Sequence, residues 1–421
     1  MAHTHTHTQP EPGPPRRGLA AFLIVVVGLI AAGVVFGMVS LWPDADKVPR
    51  DQNPYGAEGV STVSATVNTV RPFNCGSGGE GPDGLPTVSG DCAKVNASTK
   101  DGNATFTLDA GRFKAGIEKG DDISLVKVQP AGQSASYEFL DFSRGLPLTA
   151  LAIMFTVAVV AVARWRGLFA ILGVGVTLLA LTKFILPALL AGESPLPVAV
   201  VGSAAIMLVV LYLAHGVSIR TTSALFGTLV GLALTAALGV AATGWTSLTG
   251  VGAEDDQTLV AVAPNIQMAG VVAASMVIAG LGVLNDVTVT QASAVWELRA
   301  LQPAARARDI FTSAMRIGRD HIASSVYTLV FAYAGSAMTI LLLITAYQRG
   351  LAEMATTEQL AEEIVRTLVG AIGLVLAVPI TTAFAVAMAP RGGEPEADAE
   401  PQETPPMDVG GHSGSHQPTT A

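Results

Sequence analysis

The chain has 421 residues, 50 % of them hydrophobic and only 14 % charged, where an average soluble protein is about a quarter charged. Its net charge of −9 argues against nucleic acid, which requires a basic face. The apolar residues gather in runs of about 20, the length that crosses roughly 30 Å of hydrocarbon, so composition predicts an all-α polytopic membrane protein whose first partner is the lipid bilayer.

Residues 1–18 are polar and Pro-rich and predict a disordered tail. His3, His5 and His7 alternate with threonine there, and imidazoles ligate metal ions, but a disordered tail has no fixed geometry and no metal site is assigned to it. Leu19–Leu41 is an uninterrupted apolar run of about 23 residues closed by Trp42, an interface anchor. A signal peptide is the competing reading; the length of the run and the lack of a clear cleavage site favour a retained first helix (19–42).

Residues 43–146 change character. Short β-type runs, Gly59–Val70, Ala104–Leu108, Ile123–Val128 and Ser136–Phe142, are separated by turn signals and predict one small β-domain, barrel-like in outline. Cys75 and Cys92 flank a Gly-rich loop. In an oxidising exterior they predict a structural disulfide of roughly 3 kcal/mol; two free thiols are the alternative. Two cysteines without a neighbouring histidine do not make a zinc site.

From residue 147 to 389 the chain is almost wholly apolar. Seven further spans are predicted: Pro147–Ala163, Leu168–Leu190, Leu196–Ala214, Thr222–Ala242, Pro264–Leu284, Ser324–Tyr347 and Leu368–Met388. With the first helix they make about eight. The positive-inside rule orients them: Arg164, Arg166, Arg220, Arg299, Arg306, Arg308, Arg316 and Arg319 fall on one side, while loops 191–195 and 243–263 contain no Lys or Arg. Both termini are therefore expected in the cytoplasm, and the β-domain is expected outside. Thr356-Thr357-Glu358-Gln359 reads as a helix start with a capping box, leading into the last span past Pro379. Residues 390–421 predict a disordered cytoplasmic tail.

The charge nearest the membrane gathers between Gly280 and Gly335. Asp286, Thr290, Ser293 and Glu297 form one polar face of a helix, and Arg316 and Asp320 stand four apart on the returning segment. A hairpin turning at 303–304 sets position 286 opposite 321 and 297 opposite 310, which predicts Asp286 paired with Arg319 or beside His321. Two readings stay open. In one, Asp286, Asp320 and His321 form a proton- or cation-responsive site at the mouth of a pathway. In the other, the same groups are a structural ion-pair cluster. Gly227 and Gly231 predict close helix packing. No phosphate loop, HExxH, GxSxG or paired CxxC is present, so neither a cofactor nor an enzymatic activity is expected.

The stretches GVLNDVTVTQASAVWEL and RIGRDHIASSVYTLVFAYAGS resemble the signature of the YibE/F-like multitransmembrane family. The matching positions are Gly282, Asp286, Ala292-Ser293 and Glu297, then Ile317–Asp320, then the run Leu329–Gly335 that contains Tyr333. GDDISLVKV, FLDFSRG, LFGTLVGL and GAIGLVLAVPIT agree as well, so the resemblance covers roughly residues 110–390. It implies a bacterial inner-membrane protein with an external N-terminal domain, and brings no substrate or activity. Two functions follow as expectations: a permease for a small molecule or ion, with the 280–335 hairpin as its gating element, or a receptor or assembly protein whose outer domain binds a protein partner.

Overall fold

The structure, a computed structural model, describes residues 17–49, 59–75, 90–346 and 350–390. The histidine-bearing N-terminal tract, the loop between the two cysteines and the C-terminal tail fall outside the described residues.

Helix α1 (Arg17–Ser40) is apolar on every side and largely exposed; Val34 and Met38, with Leu41 just past its end, pack against the bundle core, and Gly37 lies against Val201. Next come five strands, β1 (Val60–Asn74), β2 (Asp91–Thr99), β3 (Gly102–Leu108), β4 (Asp122–Val128) and β5 (Ser136–Phe142), with a short helix α2 (Ala110–Lys114) between β3 and β4. They form one antiparallel sheet in the order β3-β2-β1-β4-β5. The sheet curls until its edges meet, where Phe106 of β3 stacks on Phe139 of β5 with ring centroids 6.2 Å apart. Order, helix position and curl are those of a small, partly open OB-type barrel. Its core is the inward-facing set Val67, Val95, Phe106, Leu108, Ile123 and Leu125. Cys75, just past β1, is bridged to Cys92 of β2 with Cα atoms 5.5 Å apart.

The barrel joins the helical part abruptly. β5 ends at Phe142 and α3 (Gly145–Ala180) starts three residues later. Ser143 N–H donates to the Asp122 carbonyl at 2.7 Å, and Arg144 donates to Asp141 at 2.6 Å. That bond, together with the Phe142 N–H, holds the Asp141 carboxyl below its ordinary range.

Helix α3 runs on through a π-helical turn, Leu181–Ile185, into α4 (Leu186–Leu190). The wider turn aims Phe184 and Ile185 at α5 (Pro195–His215), where Gly202 leaves room for both. Then come α6 (Ile219–Trp245), α7 (Glu254–Val262), α8 (Met268–Leu301), α9 (Ala307–Ser336), α10 (Met338–Ala346), α11 (Leu351–Ala355) and α12 (Glu358–Met388).

Among the described residues, six helical stretches are long and apolar enough to cross a membrane, against the eight expected. The difference arises in two places. The expected spans 147–163 and 168–190 fall in a single 46-residue stretch, Gly145–Leu190, which would measure about 69 Å if straight. It is not straight. Arg164 has φ 55° and ψ −132°, and a Cβ on Gly167 would lie 2.5 Å from the carbonyl oxygen of Val159, whereas eight residues of straight helix rise about 12 Å. The chain therefore bends back at Arg164 into two arms. The expected span 324–347 straddles the break at Ala337 between α9 and α10; the first half of α9 is too charged for the whole helix to qualify.

A non-glycine residue at φ 55° is strained by about 1–3 kcal/mol. Arg164→Gly is expected to raise stability by about 1 kcal/mol, read as a later thermal-unfolding midpoint of the purified protein; a midpoint that stays put or falls contradicts strain at this bend.

The expected capping box at the start of α12 is not made. Thr357 is the N-cap and no side chain caps it. Glu358 reaches across the molecule instead, accepting from Thr249 Oγ1 and Gly250 N–H at 2.7 Å, and so ties α12 to the turn after α6.

Candidate functional site

The helices that carry the central motifs are α6, α8, α9 and α12, and small residues set how they meet. Up α6, Gly227, Gly231 and Thr235 recur every four residues. Down α12, their partners are Thr381, Ala377 and Gly373. A Cβ on Gly227 would strike Thr381, one on Gly231 would lie 3.1 Å from Ala377 Cβ, and one on Gly373 would strike Thr235. Four-residue steps in opposite senses mean antiparallel helices in contact along one row, near enough for each side chain to fill the notch left by a glycine. The expectation for Gly227 and Gly231 is thereby met, and the second half of the contact lies in GAIGLVLAVPIT.

Against α8 the same helix makes a polar contact, Thr228 Oγ1 to Thr288 Oγ1 at 2.7 Å. Gln291 of α8 then reaches both remaining helices. Its Nε2 donates to the Ala314 carbonyl of α9 at 2.9 Å and to Thr382 Oγ1 of α12 at 2.8 Å. Its Oε1 fills the notch over Gly318, where an added Cβ would sit 3.0 Å away. Thr228, Thr235, Thr381 and Thr382 each also donate to a carbonyl four residues back, the way a hydroxyl is satisfied in a helix without water. The result is a buried seam of hydroxyls and one amide where four helices converge. It holds no carboxylate and no cation; Arg299 is the one charged side chain buried among the described residues. It donates to the Ala305 carbonyl at 2.7 Å and so closes the α8–α9 turn.

The residues that stand out in the sequence lie elsewhere. Asp286 and Glu297 are exposed on α8, and Arg316, Arg319 and Asp320 on α9, with His321 half-buried. None of these six takes part in an ion pair among the described residues, so the expected pairing of Asp286 with Arg319 is not made. The register behind that expectation does hold: Gln291 spans Ala314 and Gly318, as a turn at 303–304 requires. Ser293 is half-buried and lines a small recess with His215 and Arg220. Tyr333 is remote. Twelve residues beyond His321, about 18 Å along α9, it lines a cavity of about 280 Å³ with Glu363 and Thr367. Glu363 is paired there with Arg366 at 2.6 Å, and Arg366 also pairs with Glu362.

Sequence reasoning missed Thr228, Thr235, Thr288, Gln291, Thr381 and Thr382. The available signal was the matched four-residue step of Gly227-Gly231-Thr235 and Gly373-Ala377-Thr381. Among the described residues there is no group of three or more His, Cys, Asp or Glu able to hold a metal ion. Closed, the seam bonds helix to helix; parted, the same hydroxyls and amide would offer donors and acceptors to a solute.

The chain matches the YibE/F-like protein family over residues 151–391, a span that takes in most of the arm before Arg164, the arm after it and every helix of the seam. No curated protein and no solved structure matches it.

Proposed function

This chain belongs to the YibE/F-like protein family, and from that premise we propose that it is a multi-pass inner-membrane permease for a small hydrogen-bonding solute. Both termini lie in the cytoplasm, since the arginines concentrate on that side. The barrel lies outside, where a Cys75–Cys92 bridge is chemically at home. The observation that carries the proposal is the seam. Four helices that only anchored a domain would pack as well through apolar contacts, whereas these meet through hydroxyls and an amide set against glycine notches. Smooth notched faces let helices slide, and the groups they uncover bond a polar solute without trapping it by charge.

The test needs no knowledge of the solute. The two native cysteines are bridged, so a single new thiol can be followed. Thr288→Cys in membrane vesicles is expected to react with a membrane-impermeant maleimide, at least about tenfold more slowly than the exposed control Glu297→Cys. Complete silence of Thr288→Cys while the control reacts would falsify the permease reading. It would favour a receptor or assembly protein, which the tight closure of the seam supports: the 280 Å³ cavity lies beside Tyr333 and not in the seam.

A further inference from the structure

The 280 Å³ cavity beside Tyr333 is walled by one stripe from each of two helices. Val330 to Ala337 of α9 and Leu360 to Thr367 of α12 enter it at i, i+3, i+4 and i+7, and Leu341 of α10 joins them. Apart from Tyr333, Glu363 and Thr367 the lining is apolar. The Thr367 hydroxyl is already spent on the Glu363 carbonyl at 2.8 Å. Lining side chains that reach the surface, Leu368 and Val330, are apolar and 55 % and 42 % exposed, so the cavity opens on a lipid-facing side of the bundle.

The charge behind Glu363 does not balance. Arg366 Nη1 donates to Glu363 at 2.6 Å and Nη2 to Glu362, so two carboxylates share one guanidinium. No further cation pairs with either acid among the described residues. The second oxygen of Glu363, Oε2, is shielded and has no hydrogen-bond partner among them. Glu362 and Arg366 do not line the cavity, so the charge it presents is the acid. Glu363 lies five residues, about 7.5 Å, inside the end of α12 at Glu358, where a surplus negative charge gains from a cation.

We propose that this cavity binds a compact hydrophobic amine in its protonated form. The ammonium pairs with Glu363 against the ring of Tyr333, and the apolar body fills the space between α9 and α12. Charge complementarity and walls of one character choose this ligand. An inorganic cation requires several oxygens, and the cavity offers one carboxylate. An anion would meet Glu363 first.

The full chain, purified in detergent, is titrated with tritiated 1-adamantylamine, an apolar cage with one ammonium. Saturable binding at one site per chain is expected. 1-Adamantanol, the same cage without the charge, is expected to compete at least about tenfold more weakly, and Glu363→Gln to weaken the amine about tenfold or more. Glu353→Gln, the same change of charge on an exposed acid of α11, should leave binding as it is. Ala334→Leu keeps every charge and fills the cavity, and should abolish binding. Binding that does not saturate, an alcohol that competes as well as the amine, or binding that survives Glu363→Gln or Ala334→Leu overturns the proposal. Nanodiscs of phosphatidylcholine with and without phosphatidylethanolamine separate two sources of the same group. Loss of the probe to phosphatidylethanolamine assigns the site to a lipid amine, and undiminished binding assigns it to a free one. The seam takes no part in this test, so its outcome is independent of the permease reading.

Discussion

Gly227→Ala is expected to destabilise the protein by about 2–3 kcal/mol, and Gly227→Leu to prevent the bundle from assembling. The added Cβ would strike Thr381 across the α6–α12 contact, and Thr381 is fully buried and bonded to the Ala377 carbonyl at 2.8 Å. Neither helix can retreat alone, because the next steps of the same row are filled by Ala377 against Gly231 and by Thr235 against Gly373. Gly282→Ala is the control. It lies on the exposed side of α8 with nothing within 4 Å of an added Cβ, and should gain a few tenths of a kcal/mol from helix propensity. Thr381→Gly, introduced with Gly227→Ala, moves the notch to the other helix and should recover about half of the loss. Thermal unfolding of detergent-purified protein reads all three. Equal midpoints for Gly227→Ala and Gly282→Ala would mean the row is not in contact.

The second large effect is at Gln291. Gln291→Leu keeps the volume but removes both donated bonds, at an expected cost of about 1–2 kcal/mol. Gln291→Glu is harsher. It sets a carboxylate oxygen against the Ala314 carbonyl, 2.9 Å from the present Nε2, and an unpaired buried charge costs about 3–5 kcal/mol. Gln291→Glu should therefore unfold well before Gln291→Leu when the detergent-purified proteins are heated at neutral pH. Equal midpoints would show that water reaches position 291 in the folded state.

Much of this was legible from residue order alone. Four strands follow the β-type runs, but β2 was missed, because its buried positions Cys92, Ala93, Val95 and Ala97 are small and only one is β-branched. The α8–α9 turn is written in Gln302-Pro303, and the opposition of 291 to 314–318 follows from it. The seam was not legible for a physical reason. A threonine in an apolar helix satisfies itself on the carbonyl four residues back, so Thr228 or Thr381 looks ordinary until its neighbour across the bundle is known, and that neighbour lies 60 residues away for Thr228. Charges draw the eye because burying them is costly, yet here they stay on the surface. The reversal at Arg164 was legible as the gap between the expected spans 147–163 and 168–190, but its positive φ was not, because nothing in the residue type suggests one.

The short joint between β5 and α3 makes the barrel a stiff handle. Two residues separate the last strand from the helix, and both are fastened, Ser143 to Asp122 and Arg144 to Asp141. Any tug or twist applied to the barrel is thus delivered to α3 and its bend at Arg164.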